Sequence, residues 1–289
     1  MLQTMVKINN LLISMRPHQW YKNILVFLAI IFSKNFLFLN DWILLIIGFC
    51  SLCLISSAVY ICNDIIDKER DKKNTEKKNR PIASGVISTN MALSTAFFLL
   101  LVGMLIAYKL NPFFAIVNIG LFVLSLLYSI YIKHILFADI IAISFNFVLR
   151  AVAGAIIINV DISPWLIIGI FFLGLYFVTG KRYSEILFLK ISSGAHRPVL
   201  SSYSKEILLS LFNIFLAVLI MVFALFSFLS ENKNLLWTIP IFLYLLLRYY
   251  YLILSGNKIA RNFEKIVTDV PIIIGSILLF LLIIILILW

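Results

Sequence analysis

In the stretch Asn63-Asp64-Ile65-Ile66-Asp67-Lys68-Glu69-Arg70-Asp71, three aspartates stand at i, i+3 and i+7. On a continuing helix the repeat brings Asp64, Asp67 and Asp71 onto one face. Like charges so placed repel unless a cation neutralises them. Hard carboxylate oxygens suit Mg2+, which is commonly held by one or two carboxylates together with substrate phosphate oxygens. The competing account is a solvated helix end whose acids pair with Lys68, Arg70 and Lys72. Position favours the metal, because the acids begin where a long apolar run meets polar sequence, at the mouth of a helix bundle.

Cations and turn residues follow directly, in Lys72-Lys73-Asn74-Thr75-Glu76-Lys77-Lys78-Asn79-Arg80-Pro81-Ile82-Ala83-Ser84-Gly85. Beside a metal, Lys77 and Arg80 would share the charge of the phosphates that the metal bridges. Arg80-Pro81 and Ser84-Gly85 would shape the loop. Without the neighbouring aspartates, this composition would describe any topogenic loop.

These groups must be positioned by apolar elements. The chain has 289 residues, 63% hydrophobic and 13% charged, with a mean hydropathy of +1.07. That excludes a water-soluble globular enzyme and implies an all-α integral membrane protein. Apolar runs between breaks give nine expected transmembrane helices in a single domain over 1–289: 22–39, 42–62, 91–109, 112–132, 138–158, 164–180, 207–229, 235–254 and 270–288. Cys50, Cys53 and Cys62 all fall in or at the end of one apolar segment, as small core residues rather than a redox pair or a zinc site. Met1–Trp20 lacks the long apolar stretch and cleavage site of a removable signal peptide, so the first span is expected to act as the insertion signal.

The chain carries 24 Lys and Arg against 13 Asp and Glu, a net charge of +11. With an odd number of spans, nineteen of the 24 fall on the side of the N-terminus, three on the other side, and Arg150 and Arg248 within spans. This puts the N-terminus in the cytoplasm and Trp289 outside. Topology and contact with membrane lipids account for the positive charge, so no nucleic-acid partner is expected. Within the spans, Asp139 and Arg150 lie eleven residues apart, able to share a helix face without touching. Each needs a cavity or a partner. Arg248, beside Tyr249, Tyr250 and Tyr251, reads as an interfacial anchor.

Asn-Asp-x-x-Asp-x-x-x-Asp after the second of nine spans, followed by Arg-Pro-Ile-Ala-x-Gly, resembles the UbiA superfamily of intramembrane prenyltransferases. The resemblance covers nearly the whole chain. It implies a UbiA-like helical bundle in the inner (cytoplasmic) membrane and Mg2+ bound at Asp64, Asp67 and Asp71 against a diphosphate. It also places active-site loops at about 63–90 and 180–206 on the cytoplasmic side. Aromatic prenyltransferases of this superfamily are expected to carry a second acidic motif after span six. Here the stretch reads Gly180-Lys181-Arg182-Tyr183-Ser184-Glu185, whose cations suit direct capture of a phosphate.

That departure, with Arg16-Pro17-His18-Gln19-Trp20-Tyr21-Lys22-Asn23, Tyr128-Ser129-x-Tyr131-x-Lys133-His134, Arg150-Ala151-x-Ala153-Gly154 and Ser202-Tyr203, is similar to the phosphoribosyltransferase branch acting on decaprenyl phosphate. The resemblance implies phosphoribosyl pyrophosphate as donor and a polyprenyl phosphate as acceptor, with a lipid-linked phosphoribose made for cell-envelope glycan synthesis. Asp64, Asp67 and Asp71, helped by Asn63, then hold the leaving group through the metal. Lys22 and Arg150 are further catalytic candidates, and Asn63, Lys77, Arg80, Tyr128, Lys133, Lys181, Arg182, Tyr183 and Glu185 are substrate-binding ones. For Glu185, pairing with Lys181 is the plainer account. Oligomeric state is open, a homo-oligomer included.

Two other readings compete. Prenyl transfer from a prenyl diphosphate to an aromatic acceptor would want the missing acids after span six. A non-enzymatic transporter would place its ionisable groups near the membrane midplane, whereas these crowd one face.

Overall fold

Every regular element among the described residues of the computed structural model is helical. The structure describes residues 2–33, 35–75, 77–189, 199, 202–230, 232–257, 266 and 268–288. Lys34, Glu76, Lys190, Arg197, Lys258, Arg261 and Lys265, which entered the charge analysis, lie outside them, as does much of the expected loop 180–206.

The order is α1 (Leu2–Met15), a 3-10 stretch Pro17–Phe27, α2 (Leu28–Phe32), α3 (Leu39–Ile66), α4 (Lys68–Lys73), α5 (Thr89–Leu110), α6 (Pro112–Ile130), α7 (Ala138–Ile157), α8 (Pro164–Leu189), α9 (Lys205–Leu229), α10 (Ile239–Leu254) and α11 (Val270–Leu288). Among the described residues, seven segments are long and apolar enough to cross a membrane: Leu39–Ile66, Thr89–Leu110, Pro112–Ile130, Ala138–Ile157, Pro164–Leu187, Lys205–Leu229 and Lys233–Leu254. The chain is thus a multi-pass membrane protein. Local chemistry sets the helix starts. Ser88 accepts from the Met91 amide, Asn111 from that of Phe113 ahead of Pro112, and Ser204 from that of Ile207.

Two expectations are corrected. The run 22–39 is not one α-helix, because it divides into the 3-10 stretch and α2, and α2 ends at an extended Ser33. There Ser33 Oγ accepts from the Asn35 amide and Asn35 Nδ2 donates to Asp41 Oδ2 at 2.9 Å, local bonds that compete with helix continuation. Nor do the three aspartates share a straight helix, since α3 ends at Ile66 and Asp67 links it to α4. The Asp67 amide still donates to the Asn63 carbonyl and the Asp71 amide to that of Asp67, so the path coils while its faces diverge.

The described residues fall into two compact units, one within Met1–Ile135 and Leu149–Asp161, the other within Leu136–Val148, Ile162–Ser193 and Arg197–Trp289. In the first, Ala58, Ile61, Ile82, Ile87, Ala92 and Leu99 are buried together, with Leu11 and Met15 of α1 packed on them. Ser51 Oγ donates to the Gly103 carbonyl at 2.8 Å, tying α3 to α5 at a position where a Cβ on Gly103 would crowd Ile55. In the second, Tyr176 of α8 stacks on Phe212 of α9 at 4.6 Å, and its hydroxyl donates to the Leu246 carbonyl of α10. These contacts hold α3 against α5 in the first unit and α8 against α9 and α10 in the second.

Candidate active site

The expected acidic segment forms an ion network at the end of α3. Asp64 and Asp71 are buried, and a single nitrogen of Arg80, Nη1, donates to both, at 3.0 Å to Asp64 Oδ1 and 2.7 Å to Asp71 Oδ2. Arg16 Nη2 reaches the same Asp64 oxygen at 2.5 Å. Asp67 turns elsewhere, accepting from Lys133 Nζ at 2.7 and 3.0 Å, with Arg70 at 3.9 Å. Lys133 is itself buried in the 3-10 turn Ile132–His134 that follows α6. Its neighbour His134 is held below the ordinary imidazole range by burial and by the charges of Lys133 and Arg70.

The geometry separates the three aspartates. Two buried carboxylate oxygens converge on one positively charged nitrogen, a donor set that a divalent cation accepts. Among the described residues no three acidic, histidine or cysteine side chains form such a group, because Asp67 is directed to Lys133. Asp64 and Asp71 are thus the two acids of the segment that one cation brings together, while Asp67 is held by Lys133.

Of the other candidates in this unit, Asn63 lends its carbonyl to the Asp67 amide, and the Lys77 amide donates to Asn74. Tyr128 is half-buried on the last turn of α6. Lys22 donates to Gln19 Oε1 at 2.6 Å and lies 5.8 Å over the Tyr21 ring. Arg150 does reach another element, as Nε donates to Asn23 Oδ1 at 2.9 Å. Asn23 also accepts from Ser56 Oγ and donates through Nδ2 to Cys53 Sγ. The approach is possible because residue 154, one turn further on, is glycine: a Cβ there would collide with the Val26 carbonyl. Cys53 is a buried core thiol, as expected, whereas Cys50 on the same helix is exposed.

In the second unit, Asp139 is fully buried and accepts from Arg182 Nε at 3.1 Å and Tyr203 Oη at 2.7 Å. The Tyr203 hydroxyl in turn accepts from the Phe137 amide at 2.9 Å. Burial, then the bond to Asp139, pushes its pKa above the usual tyrosine range. Arg182 Nη1 reaches Glu185 Oε2 at 3.1 Å, so Glu185 pairs with Arg182. Arg182 is 2% exposed and held between two carboxylates, an arrangement of a supporting residue more than of a phosphate receptor. Tyr183 is buried and Lys181 half-buried on the same helix. Arg248, expected to be an interfacial anchor, forks onto Asp269 at 3.2 and 2.9 Å and lies 5.6 Å over the Tyr251 ring.

Sequence reasoning named Arg16, Asn23 and Tyr203 only as parts of motifs and gave them no role.

A model of the UbiA prenyltransferase family matches residues 24–265. Decaprenyl-phosphate phosphoribosyltransferase of Mycolicibacterium smegmatis is 29% identical over 236 residues, covering 80% of this chain and 74% of the relative. The protein of that name from Corynebacterium glutamicum is 31% identical over 226 residues, covering 76% and 68%. A UbiA homolog from Archaeoglobus fulgidus, solved bound to GPP and Mg2+, has the same fold, with a TM-score of 0.73 over 97% of this chain and all of that one at 21% identity. Since the family match runs from α2 through α10 and takes in the whole aspartate segment, this chain belongs to the UbiA prenyltransferase family and is a transferase.

Proposed function

We propose that the protein transfers 5-phosphoribose from phosphoribosyl pyrophosphate to a polyprenyl phosphate of the decaprenyl class, releasing pyrophosphate, with Mg2+ as cofactor. The observation that carries this reading is the combination of an intact first acidic segment with the basic stretch Lys181-Arg182-Tyr183, where prenyl-diphosphate users are expected to carry further acids. Both relatives described above are named decaprenyl-phosphate phosphoribosyltransferase, which supports the transferred group and the acceptor.

Asp64 and Asp71, with Asp67 nearby in sequence, would hold the Mg2+. When bound, the ion supplies positive charge to the pyrophosphate leaving group as the C1′–O bond breaks. Lys77, Arg80 and Lys133 keep the remaining charge in balance, with Asn63 and Tyr128 as neutral helpers. Lys181 and Tyr183 take the ribose 5-phosphate and Glu185 the ribose hydroxyls, while Arg182 orients Glu185. Lys22 and Arg150 are assigned to the acceptor phosphate. That phosphate is already ionised near neutral pH, so no general base is required and rate comes from positioning and leaving-group stabilisation. A single displacement inverts the anomeric carbon.

In this reading there are nine spans, the 17–32 region and Val270–Leu288 completing the seven. The N-terminus and the active site face the cytoplasm at the inner membrane, and the product serves cell-envelope glycan synthesis. Purified protein with Mg2+ should release pyrophosphate only when both phosphoribosyl pyrophosphate and a polyprenyl phosphate are supplied. Release that instead required a prenyl diphosphate and an aromatic acid would overturn the proposal.

A further inference from the structure

Arg16 has no part in the reaction as assigned above, yet it shares an oxygen with the group at the centre of the site. Its backbone is left-handed, φ 53 and ψ 61, a conformation L side chains rarely adopt. Packing rather than local preference therefore aims it: Leu11 and Met15 seat α1 on Ala58, Ile61 and Ile82. From there the guanidinium passes 5.5 Å over the Tyr60 ring to Asp64 Oδ1, which Arg80 also holds.

The burial is graded. The carboxylates of Asp64 and Asp71 are 3% and 2% exposed, whereas Arg16 and Arg80 are 19% and 26% exposed. Two acids thus lie beneath two cations that reach the surface. A divalent ion entering alone would be repelled by both guanidinia while competing for their partners. A diphosphate changes that balance, because its oxygens offer the planar guanidinium fork the same kind of paired acceptor as a carboxylate.

We propose that Arg16 and Arg80 are exchangeable counter-ions: they neutralise Asp64 and Asp71 in the free protein and move onto the diphosphate of the donor when a divalent cation takes those carboxylates. Arg16 is then a donor-binding residue, and metal and diphosphate bind cooperatively because each supplies the partner that the other displaces. Linkage makes this coupling reciprocal. The inference rests on the proposed use of a diphosphate donor.

The test is a Mn2+ titration of the purified full-length protein in lipid nanodiscs, read by electron paramagnetic resonance, with and without inorganic pyrophosphate. Free Mn2+ is matched between arms to allow for the soluble complex. For the wild type, pyrophosphate should strengthen Mn2+ binding by roughly tenfold or more. In Arg16→Gln, Mn2+ alone should bind several-fold more tightly than in the wild type, and the gain from pyrophosphate should shrink. Arg16→Lys, which keeps the charge without the fork, should fall between the two. Should Arg16→Gln fail to insert, Arg80→Gln reads the same exchange. If Mn2+ binds the wild type with pyrophosphate but Arg16→Gln matches it in both arms, the exchange is wrong and the donor assignment stands. If the wild type binds no Mn2+ even with pyrophosphate, the metal reading fails and this inference fails with it.

Discussion

Asp64 is buried and accepts from Arg16 and Arg80 at once, so replacing it with asparagine leaves two guanidinia facing an uncharged amide. Asp64→Asn should insert normally and lose roughly 10²–10³-fold in Mg2+-dependent turnover, the scale of removing one preorganised electrostatic contact. Full turnover in both Asp64→Asn and Asp67→Asn would remove the segment from the metal site. Adjacent residues on α8 should behave differently. Arg182→Gln leaves the fully buried Asp139 with the Tyr203 hydroxyl but without this cation, so about 3–5 kcal/mol of stability should be lost, seen as a lowered melting temperature in detergent. Lys181→Ala should leave melting nearly unchanged and raise the donor KM; an unchanged KM would exclude Lys181 from phosphate binding. At this scale the aspartate spacing was legible because it is local. The pairing of Arg182 with Asp139 spans 43 residues, and the aim of Arg16 depends on a left-handed backbone, so neither follows from spacing.

Helices were legible where apolar runs were long and uninterrupted, as from α3 through α10. They were misread where polar side chains compete with the backbone. Ser33 and Asn35 break the first run, and the corner at Asp67 turns one expected face into two, which is why Asp67 meets Lys133 while Asp64 and Asp71 meet Arg80. The start of α11 offers an element-level test. There Asp269 both caps the helix and closes an ion pair: its Oδ1 accepts from the Ile272 amide and its carboxylate binds Arg248. Asp269→Asn keeps a cap and loses the ion pair, whereas Asp269→Ala loses both. Melting should fall in the order wild type, Asn, Ala, with the cap worth about 1 kcal/mol. Arg248 holds the Asp269 carboxyl below its ordinary value. Its contribution is therefore present above the unfolded carboxylate pKa, about 4, and is lost as pH falls through the lower folded value. Asp269→Asn should flatten the pH dependence of melting in that acid window and leave it unaltered near neutrality.

For the whole molecule, scarcity of charge identified a membrane protein, and the sorting of those few charges predicted which side is cytoplasmic. That topology is testable in a cysteine-free background with a membrane-impermeant maleimide. Ser84→Cys should label from the cytoplasmic side and Asn234→Cys from the opposite one; both labelling from one side would contradict the five crossings expected between them. The chemistry is tested most directly by mass spectrometry of the lipid formed when the purified protein is given Mg2+, isotope-labelled phosphoribosyl pyrophosphate and a polyprenyl phosphate. The predicted result is a polyprenyl phosphate carrying one labelled 5-phosphoribose, inverted at the anomeric carbon, formed with one equivalent of pyrophosphate. An unmodified lipid from active protein, alongside prenylation of an aromatic acid when a prenyl diphosphate is supplied, would contradict it.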